Sequence, residues 1–370
     1  MNLSHLILSN FKNYAEADLH FSEKINCLVG GNGAGKTNVM DAIYYLSFCK
    51  SYFNPIDSQN INHHAEFFAL HGFYNIQNDH EEKVSCIQKR NYKKQFRFNT
   101  KDYDRLADHI GKIPLVMISP YDRDLINDGS ETRRKYIDGV ISQFDKFYLN
   151  DLLEYNKALL QRNILLKNFA EQHHFDDLAL SVWDEKLVIL GESLHEKRKD
   201  FLKDFNPLFE EYYRYLSGGN ELVEVVYASQ LEQTKMLDLL NESLQRDRMA
   251  RYTTQGIHKD DLIFLIDGFP VKKFGSQGQQ KSFVVAIKLA QFEYTRQKKD
   301  FKPILLFDDI FDKLDDDRVS QIVELVSQEN FGQVFITDTQ HHRVKSIFDR
   351  IKIDHKIFFV EKGIAREADD

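Results

Sequence analysis

The chain has 370 residues, of which 42% are hydrophobic, and a formal net charge of −8. This length is enough for one large domain with an insertion or for two domains. No stretch approaches the roughly 18 continuous apolar residues of a membrane span, which excludes a membrane-spanning class. The acidic balance excludes a wholly basic nucleic-acid-binding domain, but screening over about 8 Å at physiological salt permits a local positive patch.

The cysteines and the N-terminal residues indicate a compartment. Cys27, Cys49 and Cys86 are widely spaced, which is typical of neither a disulfide framework nor a metal site. The segment MNLSHLILSNF contains neither the basic region nor the cleavage site of a secretion signal. We therefore expect a cytoplasmic protein with no membrane partner.

The first informative elements in chain order are a strand, a glycine-rich loop and a helix start. Ile25 to Val29 is predicted as a strand, and Asn38 to Ser47 carries apolar residues at helical spacing. Between them lies a match to the phosphate-binding pattern G-x-x-x-x-G-K-[ST]. It consists of Gly30, Gly31, Asn32, Gly33, Ala34, Gly35, Lys36 and Thr37. This order predicts a nucleotide-binding protein.

Each residue type in this loop suits a nucleoside triphosphate. Glycines let the backbone wrap a pyrophosphate without Cβ clashes, so that N–H groups and the positive end of the helix point at the anion. We predict that Lys36 reaches the β- and γ-phosphates and takes part in catalysis, and that the Thr37 hydroxyl ligates Mg²⁺. ATP and Mg²⁺ are the predicted cofactors.

The middle of the chain changes from strand to helix signals. Further β-type signals lie at residues 65 to 98, around a turn at Asn91, and at Leu115 to Ile118. From about Ser130 to Leu216 the apolar residues form two heptad stripes, the first broken by Arg162, with a polar run between the stripes. Two long antiparallel helices explain this pattern economically. We predict a helical arm, residues 130–217, inserted between two halves of one domain, residues 1–129 and 218–370.

The part of the chain after the predicted arm supplies carboxylates to the predicted nucleotide site. Ile304 to Phe307 is an apolar run followed by Asp308 and Asp309, as in a buried parallel strand that delivers acids to the C-terminal edge of a sheet. We predict that Asp308 holds Mg²⁺ and that Asp309 orients or deprotonates the attacking water.

A second anion site is predicted before the helix that contains Phe283 to Phe292. A small hydroxyl residue and a glycine at a helix start can bind an anion. Because the first loop already covers one face of the nucleotide, we predict that Ser276, Gly278 and Gln279 bind the ATP of a second copy. A capped helix after a hairpin turn is the alternative.

Two basic clusters are candidates for other contacts. The first surrounds the turn at Asn91 and is either a DNA-binding surface or a solvated hairpin tip. It consists of Lys89, Arg90, Lys93, Lys94 and Arg97, interleaved with Tyr92 and Phe96. The second, Arg133, Arg134 and Lys135, follows a predicted helix cap at Ser130 and opposes the helix dipole. It indicates an external anion or a signalling contact, unless salt bridges to Asp128 and Glu131 account for it.

Together these motifs resemble the ABC-type ATPases of the SMC and Rad50 group. Three further segments are similar to the RecF family of bacterial recombination mediators: LSNFKNY at 8–14, RRKYID at 133–138 and GIHKDDL at 256–262. The short helical arm also resembles RecF rather than the long arms of SMC proteins. The resemblance implies an α/β fold, an ABC-type P-loop ATPase head with a mixed sheet, plus an inserted α-helical hairpin arm.

The resemblance also implies a function. It implies an ATP-dependent homodimer in which each Ser276 closes over the partner's phosphate loop, and binding to duplex DNA near single-strand gaps. It further implies cooperation with RecR and RecO, and slow DNA-stimulated ATP hydrolysis in repair and replication restart. Two other classes remain open: a nucleotide-gated structural clamp with negligible catalysis, and a transporter-type ATPase, which the helical arm disfavours.

Several positions depart from the family pattern. Asp338 occupies a slot where many ABC ATPases carry a histidine. An aspartate there would repel a γ-phosphate, so Thr337, Thr339 or His341 is expected to sense it. Ser119 and Pro120 replace an expected glutamine, and Asp312 and Lys313 replace a usual serine and glutamate. These departures predict weak turnover.

Overall fold

The computed structural model describes residues 1–76, 80–219, 221–299, 301–309, 316–340 and 353–368. The chain divides into two compact units. The first unit comprises Met1–Asp122 and Gln291–Asp370, and the second comprises Arg123–Ala290. Among the described residues, no helix is long and apolar enough to cross a membrane.

The elements follow one another in this order. The first unit begins with β1 (Asn2–Phe11), β2 (Tyr14–His20), β3 (Ile25–Val29), α1 (Lys36–Phe48), β4 (Phe67–Asn75), β5 (Glu81–Lys89), β6 (Gln95–Phe98), β7 (Lys101–Asp102) and β8 (Leu115–Ile118). The second unit has α2 (Asp124–Asn127), α3 (Ser130–Ser142), α4 (Lys146–Gln172), α5 (Asp177–Ser217), β9 (Val223–Ala228), α6 (Met236–Ala250), β10 (Asp261–Ile266), β11 (Phe269–Pro270) and α7 (Val271–Phe274). The remaining elements are α8 (Gln277–Lys298), which contains the unit boundary, β12 (Ile304–Phe307), α9 (Asp316–Val326), β13 (Val334–Asp338), β14 (His355–Glu361) and β15 (Ile364–Glu367).

A mixed sheet forms the base of the first unit. Its strand order is β15-β14-β3-β13-β12-β8, and all neighbours from β14 to β8 are parallel, whereas β15 is antiparallel to β14. Every residue of β3, β8, β12 and β13 is buried, which explains their nearly continuous apolar sequences. The carboxyl ends of parallel strands share one edge of a sheet. The loop after β3 and the acids after β12 therefore reach the same edge.

A second sheet of the first unit is antiparallel, with the order β2-β1-β4-β5-β6-β7. One cluster of buried side chains joins it to the mixed sheet and includes Val39, Ile43 and Leu46 of α1. Burial of such side chains typically contributes about 1.5–3 kcal/mol each. Helix α1, which begins at the phosphate loop, is thus held in the core of this unit.

The second unit contains the predicted helical hairpin. Helices α4 and α5 have N-caps at Asp145 and Asp176, whose carboxylates accept the N–H groups of Tyr148 and Ala179. Such caps typically stabilise a helix by about 1 kcal/mol. Helix α4 ends at Gln172 and α5 begins at Asp177, so the polar segment between the two stripes is the loop of the hairpin, as predicted.

The compact unit extends beyond the predicted arm, residues 130–217, and includes residues up to Ala290. The Asn206 side chain of α5 bonds both the N–H and the carbonyl of Val225 in β9, at 2.9 and 3.0 Å. The Phe209 ring lies 4.7 Å from that of Phe283 in α8. These contacts join the predicted arm to residues beyond 217, which were predicted to belong to the ATPase head. The three-part division at 129/130 and 217/218 stays a prediction.

Two buried arginines hold the helices of the second unit. Arg162, the apparent break in the first stripe, is fully buried and donates to Asp184 at 2.5 Å and to Asp247 at 2.6 Å. Arg198 of α5 is also buried, and its guanidinium contacts Asp138 at 2.8 Å and Asp260 at 3.4 Å. A buried charge is tolerated only when it is paired and hydrogen-bonded. Both arginines are therefore core residues.

Candidate nucleotide site

The phosphate loop follows β3 with the backbone conformation that its glycines predict. Gly33 and Gly35 have φ values of 76° and 122°, which L side chains rarely adopt. A Cβ on Gly30 would lie 2.1 Å from the carbonyl oxygen of Val360. The loop therefore requires glycine at these positions, and its last turn leads into the N-terminus of α1 at Lys36.

Lys36 and two neighbouring residues hold the loop. The Lys36 Nζ donates to the carbonyl oxygens of Gly30 and Gly31 at 2.7 and 3.1 Å. Asn13 Nδ2 donates to the carbonyl of Ala34 at 3.0 Å, and its Oδ1 accepts from Asn38. Asn13 was not predicted to contribute, although it lies in the LSNFKNY segment of the family resemblance. Its position in that segment was the available signal.

The two acids after β12 lie beside the loop. The Thr37 hydroxyl donates to Asp308 Oδ1 at 3.0 Å, and the Thr337 hydroxyl lies 3.1 Å from the same oxygen. Thr337 Oγ1 also accepts the N–H of Asp309 at 2.8 Å. Asp309 has φ 47°, a left-handed conformation that is costly for most residues and recurs at functional sites. Thr37, Asp308, Asp309 and Thr337 thus form one cluster, which we call the acid cluster.

Asp308 has a shifted acidity. Burial, with a further contribution from the neighbouring Asp309, raises the pKa of Asp308 to about 6, against the lowering effect of the hydrogen bonds from Thr37 and Thr337. Burial raises a carboxyl pKa because it disfavours the charged form. Two carboxyl groups and a hydroxyl at this spacing are the oxygen ligands that Mg²⁺ prefers.

A pocket of about 280 Å³ opens at the acid cluster, and its lining comprises Lys12, Thr37, Asn38, Phe53, Pro120, Tyr121, Asp308 and Asp309. The glycine cradle, the helix start and the oxygen-rich pocket wall fit a nucleoside triphosphate with Mg²⁺. Pro120, one of the two residues in place of the expected glutamine, contributes to this wall. Ser119, by contrast, donates its N–H to Asp122.

The structure separates the candidates for a γ-phosphate sensor. The Asp338 carboxylate is buried and accepts the N–H of Gln340 at 2.7 Å, so it caps a turn. Of the predicted sensors, Thr337 is the one that the structure places in the acid cluster among the described residues. His341, Asp312 and Lys313 lie outside the described residues.

The signature residues lie in the second unit and form a capping box. Ser276 Oγ accepts the N–H of Gln279 at 3.2 Å, and Gln279 Oε1 accepts the N–H of Ser276 at 2.7 Å. The Gln279 amide also donates to Glu221. Ser276 is exposed at the start of α8. The capped helix is therefore real, and the role of Ser276, Gly278 and Gln279 toward a second copy's ATP stays a prediction.

The first basic cluster is only partly a surface feature. Lys94 is nine-tenths buried, and its Nζ contacts Asp57 at 2.7 Å and the Cys49 carbonyl at 2.7 Å. Phe96 is buried in the core. Lys94 and Phe96 were therefore wrong candidates for DNA contact. The Lys94 side chain, just before β6, and the Phe96 side chain, within β6, both point inward. Lys89, Tyr92 and Lys93 are exposed.

The second basic cluster has internal partners. Arg133 pairs with both carboxylate oxygens of Asp261 at 2.7 and 3.0 Å, and Arg134 donates to the carbonyl of Asp260. Lys135 pairs with Glu131 at 2.6 Å. Gly129, rather than Ser130, occupies the N-cap of α3. These contacts join the RRKYID and GIHKDDL segments and account for the cations without an external anion.

The fold and this site define an ABC-type ATPase head. The family model for the RecF/RecN/SMC N terminal domain matches residues 2–365. A head of Smc bound to ScpA has the same fold, with a TM-score of 0.59 at 16% identity over 100% of this chain and 97% of that chain.

Closer relatives specify the family. A protein of Flavobacterium johnsoniae called DNA replication and repair protein RecF is 53% identical over 97% of this chain and 99% of its own length. The protein of that name from Bacteroides fragilis is 49% identical over 100% and 99%. A solved structure described as the recombination mediator protein RecF with ATP has a TM-score of 0.90 at 29% identity and covers 100% of this chain and 98% of that one. The chain belongs to the RecF family, which confirms the predicted family and fold class.

Proposed function

We propose that this RecF-type chain is an ATP-dependent DNA-binding recombination mediator that acts at single-strand gaps in DNA repair and replication restart. The observation that best supports a nucleotide switch is the contact between Thr37 and Asp308 at 3.0 Å, across 271 positions of sequence. This contact brings residues from the N-terminal and C-terminal parts of the chain into one site. The relatives are named DNA replication and repair proteins, and a structural neighbour is described with ATP.

Each residue of the nucleotide site has its own role in binding or hydrolysing ATP. The backbone of Gly30–Gly35 wraps the phosphates, and Lys36 turns from the loop carbonyls toward the β- and γ-phosphates. Thr37 and Asp308 would hold Mg²⁺, whose charge would offset that of the phosphate oxygens. Asp309 orients or deprotonates the attacking water, and Thr337 senses the γ-phosphate from its place beside both acids.

ATP then joins two copies. The Ser276 hydroxyl accepts from its own helix, so its proton is available for a phosphate of the partner's ATP. Gly278 and Gln279 complete the helix N-terminus that faces this anion. We propose that DNA stimulates a slow hydrolysis in the cytoplasm and that RecR and RecO are the partners, since the RecF neighbours are described as members of the RecFOR pathway.

A nucleotide-gated clamp with negligible catalysis is the second candidate. It is favoured by one observation: the slot of the usual histidine holds Asp338, whose buried carboxylate is occupied by the N–H of Gln340. Such a clamp would bind ATP and dimerise but would release the dimer without turnover.

The dimer is tested by sedimentation of the full chain with Mg²⁺ and ATP, with and without a gapped duplex. We expect ATP-dependent dimers that bind the duplex, and we expect Ser276→Arg to remain monomeric because its long cation blocks the approach of a second copy. Ser276→Thr, which keeps the capping hydroxyl, should still dimerise. Equal melting temperatures for the two variants would show that both fold. A Ser276→Arg protein that dimerises normally would contradict the composite site.

The pKa of Asp308 predicts a pH dependence of metal binding. Because burial raises this pKa to about 6, the carboxylate is mostly protonated at about pH 5 and ionised above pH 7. We expect Mn²⁺, as a paramagnetic substitute for Mg²⁺, to bind the complex with a nonhydrolysable ATP analogue markedly more tightly as the pH rises through about 6. Electron paramagnetic resonance measures the free Mn²⁺. Asp308→Asn should weaken binding and flatten the profile, whereas an unchanged profile would exclude Asp308 as a ligand.

The same group affects stability with the opposite sign. A carboxyl whose folded pKa is raised makes the folded state bind more protons than the unfolded state between about pH 4 and pH 6. In the nucleotide-free protein, Asp308 therefore contributes stability at low pH that is lost as the pH rises through about 6.

The exposed part of the first basic cluster predicts salt-dependent DNA binding. We expect the double variant Lys89→Ala, Lys93→Ala to weaken binding of a gapped duplex and to reduce the slope of log Kd against log salt by about 2, because each lysine that contacts a phosphate releases about one counterion. The control Lys235→Ala, Arg251→Ala removes the same charge from the second unit. Fluorescence anisotropy at several salt concentrations measures both. An unchanged slope would indicate a solvated hairpin tip.

A further inference from the structure

A group of three side chains outside the nucleotide site has the composition of a metal site. His5 of β1 and His20 of β2 are directly opposite each other in the antiparallel register, and Asp18 lies two positions from His20 on the same face. The opposite face of this strand pair carries Leu6 and Leu19, which are buried in the core. We call His5, Asp18 and His20 the histidine cluster.

The donor atoms of the histidine cluster converge. His5 Nε2 lies 2.7 Å from Asp18 Oδ1, and His20 Nε2 lies 3.3 Å from the same oxygen. The three ligand atoms are all within 4.8 Å of one another. Tetrahedral zinc with bonds of about 2.0–2.2 Å places its donor atoms about 3.3 Å apart. The Asp18–His20 distance already has this value, whereas the shorter His5–Asp18 contact must lengthen to admit an ion.

The strands and their neighbours orient the ligands in advance. The His5 ring stacks between the His20 ring, at 4.0 Å, and the Phe73 ring of β4, at 4.9 Å. Only 19% of the His5 side chain is exposed, against 60% for Asp18 and 66% for His20. One ligand is therefore fixed in the sheet and two can adjust from the solvent side, which lets an ion enter without unfolding. Because the His5 and His20 rings are nearly parallel, the His20 ring must tilt toward the ion.

We propose that the histidine cluster binds a divalent transition metal such as Zn²⁺ or Ni²⁺. Imidazole nitrogens with one carboxylate suit these ions, whereas Mg²⁺ prefers oxygen ligands. Three protein ligands leave a position for water or for an added ligand. The ion would also join β2, the edge strand of the antiparallel sheet, to β1.

The same geometry without a metal is a polar surface cluster, in which the His5 imidazole is hydrogen-bonded to Asp18 and the His20 imidazole lies 3.3 Å from the same oxygen. The two interpretations differ in their response to added metal. A bound ion should join β1 to β2, whereas the same cluster without a metal should not respond to added Zn²⁺.

Calorimetric titration of the full chain with ZnCl₂ and with NiCl₂, in excess Mg²⁺ to saturate the nucleotide site, tests the proposal. We expect one site with a micromolar Kd at neutral pH. His20→Ala and Asp18→Ala should each weaken binding by at least about tenfold. The control His63→Ala, His64→Ala removes two exposed histidines elsewhere in the same unit and should leave binding unchanged. All three cysteines are buried and should not compete.

A structural readout makes the result independent of any one variant. Zn²⁺ should slow amide hydrogen exchange in β1 and β2 of the wild-type chain, and it should not do so in His20→Ala, whose fold is checked by its melting temperature. The proposal is overturned if no site tighter than millimolar exists, if His20→Ala binds as tightly as wild type, or if the control variant abolishes binding.

Discussion

Replacing Asp309 with asparagine is expected to slow ATP turnover by about two to four orders of magnitude and to lengthen the life of the ATP-bound dimer. General acid–base groups contribute rate factors of this size. Asparagine keeps the shape of the side chain but can neither take a proton nor present a carboxylate to water. If hydrolysis ends the dimer, the variant should accumulate as dimers in ATP. A pure clamp should change little in either measurement.

The backbone conformation at position 309 makes asparagine the most suitable replacement. Asp309 has φ 47°, and asparagine tolerates this left-handed conformation better than alanine does. Asp267 supplies a matched control, since it has φ 49° and caps a turn by accepting the N–H of Leu222 in the second unit. Asp267→Asn should leave steady-state phosphate release unchanged. An Asp309→Asn enzyme with wild-type release would exclude this carboxylate from the hydrolysis step.

Replacing Arg198 with methionine is expected to destabilise the second unit by about 3–5 kcal/mol. Removing one partner of a buried ion pair leaves its carboxylates uncompensated, and Asp138 and Asp260 both contact Arg198. The Arg198 guanidinium also donates to the carbonyl of Ile257 at 3.2 Å. The variant should therefore lower the apparent melting temperature by about 10 °C.

Arg214 of the same helix is the control for Arg198. Its side chain is 62% exposed and pairs with Glu210 at the surface, where ion pairs contribute roughly 0–1 kcal/mol. Arg214→Met should shift the melting temperature by only a degree or two. Comparable losses in the two variants would show that helix propensity, rather than the buried network, determines the stability. Calorimetry measures both proteins.

The sequence predicts local order better than long-range contacts. The strand, glycine loop and helix of residues 25–48 follow from periodicity, and the structure has them where expected. The hairpin of α4 and α5 follows in the same way, because its loop interrupts two regular stripes. The Thr37–Asp308 contact was implied by the motifs, since both follow buried parallel strands.

Buried charges were beyond sequence reasoning. In the sequence, Arg162 only interrupts an apolar stripe. The structure shows its partner, Asp247, which lies 85 positions away along the chain. In the sequence, Lys94 is one member of a basic run. In the structure, its ammonium group contacts Asp57 and the Cys49 carbonyl. Spacing along one element shows which face a residue occupies, but not whether a carboxylate from another element meets it there. The interpretation of both basic clusters changed for this reason.

The strand order of the mixed sheet has a consequence for synthesis of the chain. Strand β3 carries the phosphate loop, yet its two neighbours in the sheet, β13 and β14, begin at Val334 and His355. A ribosome therefore exposes the phosphate loop long before β3 has any partner strand. A fragment released before residue 334 leaves both edges of this apolar strand open to chaperones and proteases. We expect such fragments to be inert toward nucleotide, so that premature termination yields no competitor for the finished protein.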